Sequence, residues 1–458
     1  MNDASKPSPP DTRPAPAGKL TQGSTMRHVV VMTVTGAVGL VSIFLVDFLS
    51  LFYISLLRNE EWTAGVGYAT TFMFFAIAFN IGLMIAGTAL VSRALGARDV
   101  DHARRVAGSS AVLLTGASLA VTLVMLAGMP WILDALGASG QPRAIAERFL
   151  WISMPSNPLM ALGMAFSGVL RAAGDARRAM MVTLMGGIVT AVLDPLFIFA
   201  LRLGTDGAAL ATVFSRLTFC AIGFMGVVKV HRLMARPTLD DLSQNLRPLL
   251  YIAAPAVLTN IASPVAAGFM IGVVRQFGHE AVAASTIIDR LVPLAFGVIF
   301  ALSGSVGPIL GQNLGARHYD RVRRTLRDSL VFAASYSLFA WAMLALGRHQ
   351  IAALFGASEK TAAYVGFFCL IGAGAWVFNG LLFVANAAFN NLGFPLYSTF
   401  FNWGRATLGT MPFSYFGAQL WGYEGAIGLV IIGWGVFGTW SVIEAFRAVR
   451  RIESQKTS

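Results

Sequence analysis

The chain has 458 residues, 56% of them hydrophobic and 12% charged, with a mean hydropathy of +0.67. Soluble domains carry about 25% charged residues, so this composition excludes a soluble globular enzyme and describes a polytopic membrane protein. A net charge of +12 would suggest nucleic acid in a soluble chain, but here the arginines recur between apolar runs and read as topology signals, so no nucleic-acid partner is expected.

Residues 1–26 carry Pro7, Pro9, Pro10, Pro14 and Pro16 among Ser, Lys and Asp, cannot bury a core, and are expected to form a disordered cytoplasmic tail. The segment lacks the apolar stretch of a signal peptide. Apolar runs long enough to cross a bilayer follow at about 28–57, 64–95, 107–133, 149–170, 180–201 and 208–230. A polar connector at 231–247 contains Pro237, Asp240 and Asp241, and beyond it further runs lie at about 248–274, 282–310, 330–346, 362–389, 396–420 and 427–446. The two cysteines, Cys220 and Cys369, sit inside such runs and offer neither a disulfide framework nor metal-type spacing.

An internal repeat divides the chain. Leu95-Gly96-Ala97-Arg98, with Asp101, Arg104 and Arg105, returns as Leu314-Gly315-Ala316-Arg317, with Asp320, Arg323 and Arg324, at an offset of 219 (315 minus 96). Gly174 maps to Gly393 at the same offset, and Gly204 to Gly422 with a one-residue slip. If both Leu-Gly-Ala-Arg loops face one side, each half crosses the membrane an even number of times. The expected fold is an all-α membrane protein of twelve transmembrane helices in two homologous six-helix lobes. The N-terminal lobe is 27–230, the cytoplasmic linker 231–247, the C-terminal lobe 248–446 and the C-terminal cytoplasmic tail 447–458. Roughly 24 Lys and Arg, Arg171, Arg177 and Arg178 among them, fall on the side of both termini against about 7 opposite, which makes both termini cytoplasmic.

Ionisable residues inside the runs are Asp47, Asp194, Arg216, the pair Asp289 and Arg290, and Arg405. An aspartate at the centre of a membrane helix costs roughly 2.5 to 3.5 kcal/mol and usually marks a functional path. Under the offset, Asp47 corresponds to Ala266, and Asp194, aligned through Pro195 and Pro412, corresponds to Met411. Neither acid is repeated, as an architectural residue would more often be, so both point to a chemical site in the first half. The arginines and the Asp289 and Arg290 pair have structural roles as their plainer explanation. Pro195 frees the carbonyl of Ala191 and should bend the helix beside Asp194. Thr190 lies one turn before Asp194, and Thr212 follows Gly207 and Ala211, whose small side chains admit a neighbouring helix. Such a set can hold a proton or a sodium ion. No phosphate-binding loop, HExxH or GxSxG occurs, and all six histidines sit at span ends or in loops, so no catalytic residue and no cofactor beyond a coupling proton or sodium ion is expected.

With the duplicated Leu-Gly-Ala-Arg loops, Val46-Asp47-Phe48, Leu193-Asp194-Pro195 and Gly207-Ala208-Ala209-Leu210-Ala211-Thr212, the chain resembles the multidrug and toxic compound extrusion (MATE) transporters, closest to their DNA-damage-inducible-type prokaryotic branch. Ile288-Asp289-Arg290-Leu291 and the segment from Val306 to Asn313 are similar to the family's eighth helix and following loop. The resemblance implies a V-shaped pair of lobes in the prokaryotic inner membrane, acting as a monomer that exports small cationic, amphipathic compounds in exchange for protons or sodium. It carries the family's cation site onto Asp47, Thr190, Asp194 and Thr212, with Asp47 and Asp194 as sodium ligands if sodium is the coupling ion. Thr190 stands where the family commonly has asparagine, Gly36 where it has a first-helix proline, and the tenth run offers Asn379, Asn386 and Asn390 in place of another branch's acids. Two other functions are open to the residues: a flippase for a lipid-linked saccharide, and an intramembrane aspartyl enzyme.

Overall fold

The computed structural model describes residues 18–454, and every regular element among them is helical. Nine helices among the described residues are long and apolar enough to cross a membrane. In the first half these include α1 (Thr25–Ser55), α2 (Glu60–Gly96), α3 (Val100–Ala127), α7 (Ala176–Pro195) and α8 (Thr205–Phe224); α4 (Met129–Ala135) is a short outer turn. In the second half come α9 (Leu239–Val274), α10 (His279–Gly315), α11 (Tyr319–Leu354) and the pair α12 (Glu359–Leu370) and α13 (Ala375–Leu392), which together make one span.

The remaining three crossings are interrupted helices. The run expected at 149–170 is a longer segment, α5 (Gly140–Ser153) and α6 (Asn157–Ala172), split by a 3-10 turn at Met154–Ser156 where Pro155 removes a helical donor. The last two crossings comprise α14 (Pro395–Ala406), α15 (Met411–Gly428) and α16 (Val430–Ser454). Helical dihedrals fail at Trp421 and Gly422, inside α15. Around that point the chain folds back on itself: a Cβ at Gly417 would stand 2.1 Å from the Gly425 carbonyl oxygen, and one at Gly433 would stand 1.9 Å from that of Gly409. Pairs symmetric about residue 421 meet only if the two legs run antiparallel, so the fold has twelve crossings.

The repeat is written into the backbone. Left-handed φ recurs at Arg98 (63°) and Arg317 (59°), Gly137 (79°) and Gly356 (59°), Gly174 (75°) and Gly393 (97°), and Gly204 (57°) and Gly422 (64°). Arg98 and Arg317 are the αL residues that close α2 and α10, with the Asp99 N–H donating to the Ala94 carbonyl and the His318 N–H to that of Asn313.

The two lobes close against each other at the end that carries the Leu-Gly-Ala-Arg turns. A Cβ at Gly96 would lie 2.0 Å from the Gln312 carbonyl oxygen, and one at Gly315 would lie 2.1 Å from that of Arg93. Arg93 donates to the carbonyls of Asn391 (2.9 Å) and Asn390 (3.3 Å), and Gln312 Nε2 to that of Ala172 (2.6 Å). Toward the other end α2 and α10 part. Thr88, Ser92, Gly307, Gly311 and Gln312 are buried, whereas Met84, Arg171, Ser303 and Gly304, nearer the membrane centre, are partly exposed and form the floor of a cleft. On the closed side of that floor α1 rests on α10, where Ser305 Oγ donates to the Met32 carbonyl (3.1 Å).

The tail differs from its expected disorder at residues 18–26, which are ordered; residues 1–17 lie outside the described residues. Lys19–Thr21 forms a 3-10 turn that straps the closed end, with Leu20 only 1% exposed. The Leu20 N–H donates to Gln312 Oε1 (2.9 Å), and the Leu20 carbonyl accepts from Asn313 Nδ2 (3.2 Å). Leu20 also packs beside Gly174 of the first lobe, so the strap bridges both lobes. Leu20→Asp, which places an unpaired carboxylate there, should release the strap and speed maleimide labelling of a Ser92→Cys reporter about tenfold; unchanged labelling would show that the strap holds nothing. The connector is also more structured than expected, because α9 starts at Leu239 with a reciprocal cap between Thr238 and Asp241.

Candidate functional site

Helix α7 begins at Asp175, which caps it by accepting from the Arg178 N–H (3.0 Å) and also holds His231 Nε2 (2.8 Å) at the end of the sixth crossing. Burial raises the pKa of this carboxyl, but the bonds from Arg178 and His231 outweigh that and leave it below the usual carboxylate range. From this anchor α7 runs parallel to α1, and the absence of side chains lets the two approach closely: a Cβ at Gly39 would stand 2.3 Å from Thr183 Oγ1, and one at Gly187 would stand 3.4 Å from Val46 Cγ2. In this register Ser50 meets Asp194.

Asp194 is 1% exposed, and its Oδ2 accepts a hydrogen bond from Ser50 Oγ of α1. Its Oδ1 is buried with no hydrogen-bond partner among the described residues. Ser50 is three residues beyond Asp47, so position 47 lies on the face of α1 turned to α7, level with about residue 190. The Asp47 side chain lies outside the described residues. The carboxyl of Asp194 therefore has one donor, one orphan oxygen and a second acid's backbone about one turn away.

The threonines do not complete a ligand cage around it. Thr190 Oγ1 donates back to the Gly186 carbonyl (3.2 Å) and Thr212 Oγ1 to the Ala208 carbonyl (3.0 Å), each within its own helix. Neither hydroxyl bonds Asp194. The expected bend at Pro195 takes the form of a π-helical turn at Leu196–Ala200, where the Leu201 N–H reaches the Leu196 carbonyl (2.9 Å). Gly207 does what its size suggested, meeting the Phe197 backbone, with a Cβ there falling 2.8 Å from Phe197 C.

Of the other ionisable residues, Arg216 donates through Nη1 to the Ser153 carbonyl (2.8 Å) and Ser156 Oγ (3.0 Å), which ties α8 to the break between α5 and α6. Arg405 donates to Ser263 Oγ (3.0 Å) and lies 4.8 Å above the Trp434 ring. Asn379, Asn386 and Asn390 are buried, and Asn390 Oδ1 accepts from Ser398 Oγ (3.1 Å). Asp289 and Arg290 are exposed on the outer half of α10, with the Arg290 guanidinium 5.9 Å from the Phe48 ring across the lobe boundary. Two residues were not singled out from the sequence. Ser50 carried only its spacing from Asp47 as a signal. Arg171 was counted among basic residues of the loop, yet its guanidinium turns back into the membrane.

Comparison with known proteins agrees with this geometry. A family model described as MatE matches residues 37–196 and 255–416, one block in each lobe. The FAD transporter of Shewanella oneidensis is 28% identical over 412 residues, covering 88% of this chain and 90% of that protein. The multidrug export protein MepA of Staphylococcus aureus is 27% identical over 349 residues, covering 73% and 75%. Among solved structures, the bent form of the Vibrio cholerae MATE transporter VcmN superposes with a TM-score of 0.88 at 24% identity, covering 93% of this chain and 98% of that one. A MOP superfamily transporter from Pyrococcus furiosus gives 0.89 at 23% identity, covering 96% and 99%. With the family pattern in both halves and the shared twelve-crossing fold, this chain belongs to the MatE family of membrane transporters.

Proposed function

We propose that the protein is a proton-coupled exporter of small amphipathic compounds with a cationic group, in which Asp194 and Asp47 bind the proton. The supporting observation is the carboxyl of Asp194, buried between two helices with Oδ1 left open beside a donor from α1. A cation that enters the cleft is attracted by an ionised acid, and a proton that binds there cancels the attraction. Because Ser50 belongs to α1, a change in the Asp194 carboxyl alters the α1–α7 contact directly and gives α1 a reason to shift. The proton is favoured over sodium because the threonine hydroxyls point into their own helices, leaving few oxygens to replace a metal's hydration shell.

The arginine and lysine distribution supports a closed end and both termini in the cytoplasm of a prokaryotic cell, with the cleft facing outward from the inner membrane. The protein acts as a monomer in the bilayer, each lobe supplying half of the cleft. The multidrug export activity in the name of the Staphylococcus relative supports a broad amphipathic substrate class.

Efflux of a cationic dye from proteoliposomes with imposed gradients separates the ions. A pH gradient alone should drive dye movement, and a sodium gradient alone should not. Movement driven by sodium at matched pH would overturn the proton assignment, and none under either gradient would overturn the antiport.

A further inference from the structure

Arg171 sits in the last turn of α6, where an arginine at a membrane edge ordinarily extends to water. Here the side chain runs the other way. Its Nη1 lies 3.9 Å from Met84 Sδ of α2, and a Cβ at Gly304 of α10 would stand 3.2 Å from the same Nη1. The guanidinium is thus in the seam between the lobes. It lies about 12 Å inside the closed end, since Gly304 precedes Gln312 by eight residues at roughly 1.5 Å each.

The other arginines inside the membrane have oxygen or aromatic partners: two carbonyls for Arg93, a carbonyl and a hydroxyl for Arg216, and a hydroxyl and an indole for Arg405. Arg171 has among the described residues a thioether sulfur alone, a weak acceptor, for five N–H donors. It forms no ion pair there. Met84, Ser303 and Gly304 around it are partly exposed, and Gly304 leaves the space in front of the guanidinium open. A guanidinium that faces the cleft with no oxygen acceptor from the described residues keeps its donors for one that a bound molecule supplies.

We propose that Arg171 is the recognition site, at the floor of the cleft, for an oxyanion carried by the transported compound, a carboxylate or a phosphate held by the planar guanidinium fork. The preferred cargo is then an amphiphile that pairs such an oxyanion with its cationic group. This rests on the transporter reading above and narrows its substrate class.

The test uses purified full-length protein in detergent and a matched pair of dyes: a rhodamine with a free carboxyl group, and its ethyl ester, which keeps the cationic ring system. Fluorescence titration of the wild type should show the carboxyl dye binding at least about tenfold more tightly than the ester. Arg171→Gln should remove that preference while leaving ester affinity within about twofold, and Arg171→Lys should keep part of it. Gly304→Asp, which sets a carboxylate against Nη1, should abolish the preference without removing the arginine. A phosphate-bearing rhodamine run in parallel shows which oxyanion is preferred. Equal affinity for the two dyes in the wild type, or an equal loss for both in Arg171→Gln, would overturn the proposal. Because binding is read without a gradient, failure of the antiport assay leaves this outcome distinguishable.

Discussion

Replacing Asp194 by asparagine is expected to reduce pH-driven export at least about a hundredfold while leaving the protein folded. Asparagine has the same shape, and its carbonyl oxygen can still accept from Ser50 Oγ, so the α1–α7 contact survives. What disappears is the capacity to alternate between charged and neutral forms. Removing an ionisable group from a site that is 1% exposed should leave thermal stability unchanged or slightly raised. Efflux from proteoliposomes and thermal unfolding of the same preparation check both halves. A collapse in stability alongside the lost export would make Asp194 a structural residue. Asp47→Asn should likewise impair export, whereas Arg216→Met should act through stability, because among the described residues Arg216 bonds Ser153 and Ser156 alone.

The second large effect falls far from the acids. Gly96→Ala should prevent the lobes from closing at the Leu-Gly-Ala-Arg end, because the added Cβ would stand 2.0 Å from a backbone carbonyl that cannot swing aside. Overpacking of this kind costs typically 1–3 kcal/mol, which moves a two-state equilibrium by about 5- to 150-fold. Gly315→Ala meets the Arg93 carbonyl at 2.1 Å and should behave alike, as the repeat requires. Distances between spin labels at positions 101 and 320, both exposed, should lengthen in either variant, and export should fall about tenfold or more because one of the two alternating states is depleted. Unchanged label distances would show that the contact does not set the conformation.

The parts of this structure that were legible in the sequence are those with a strong local cause. Gly174 and Gly393, and Gly204 and Gly422, marked the repeat because left-handed backbone selects glycine at both copies. Asp194 stood out because lipid offers a carboxylate nothing. The breaks at Met154–Ser156 and at residues 407–410, between α14 and α15, were hidden, since hydropathy reports which residues avoid water and says little about where a helix stops inside an apolar run. Side-chain direction was hidden too. Arg171 looked like one of three loop arginines, and only the packing of α6 against α2 and α10 turns it toward Met84. Thr190 and Thr212 have the spacing of ligands, yet a hydroxyl in a helix has a carbonyl of its own one turn back, and both took it. Leu20 was lost in a polar segment because a single apolar residue gives no periodic signal.

If one carboxyl, Asp194, exchanges a proton for the cargo's cationic charge, binding of the cargo must displace that proton. Proton release on adding the ester rhodamine to purified protein in weak buffer tests this most directly, read by a pH indicator under conditions where the dye binds. The wild type should release protons, and Asp194→Asn should release clearly fewer. Equal release from both proteins, or none from the wild type, would contradict that exchange.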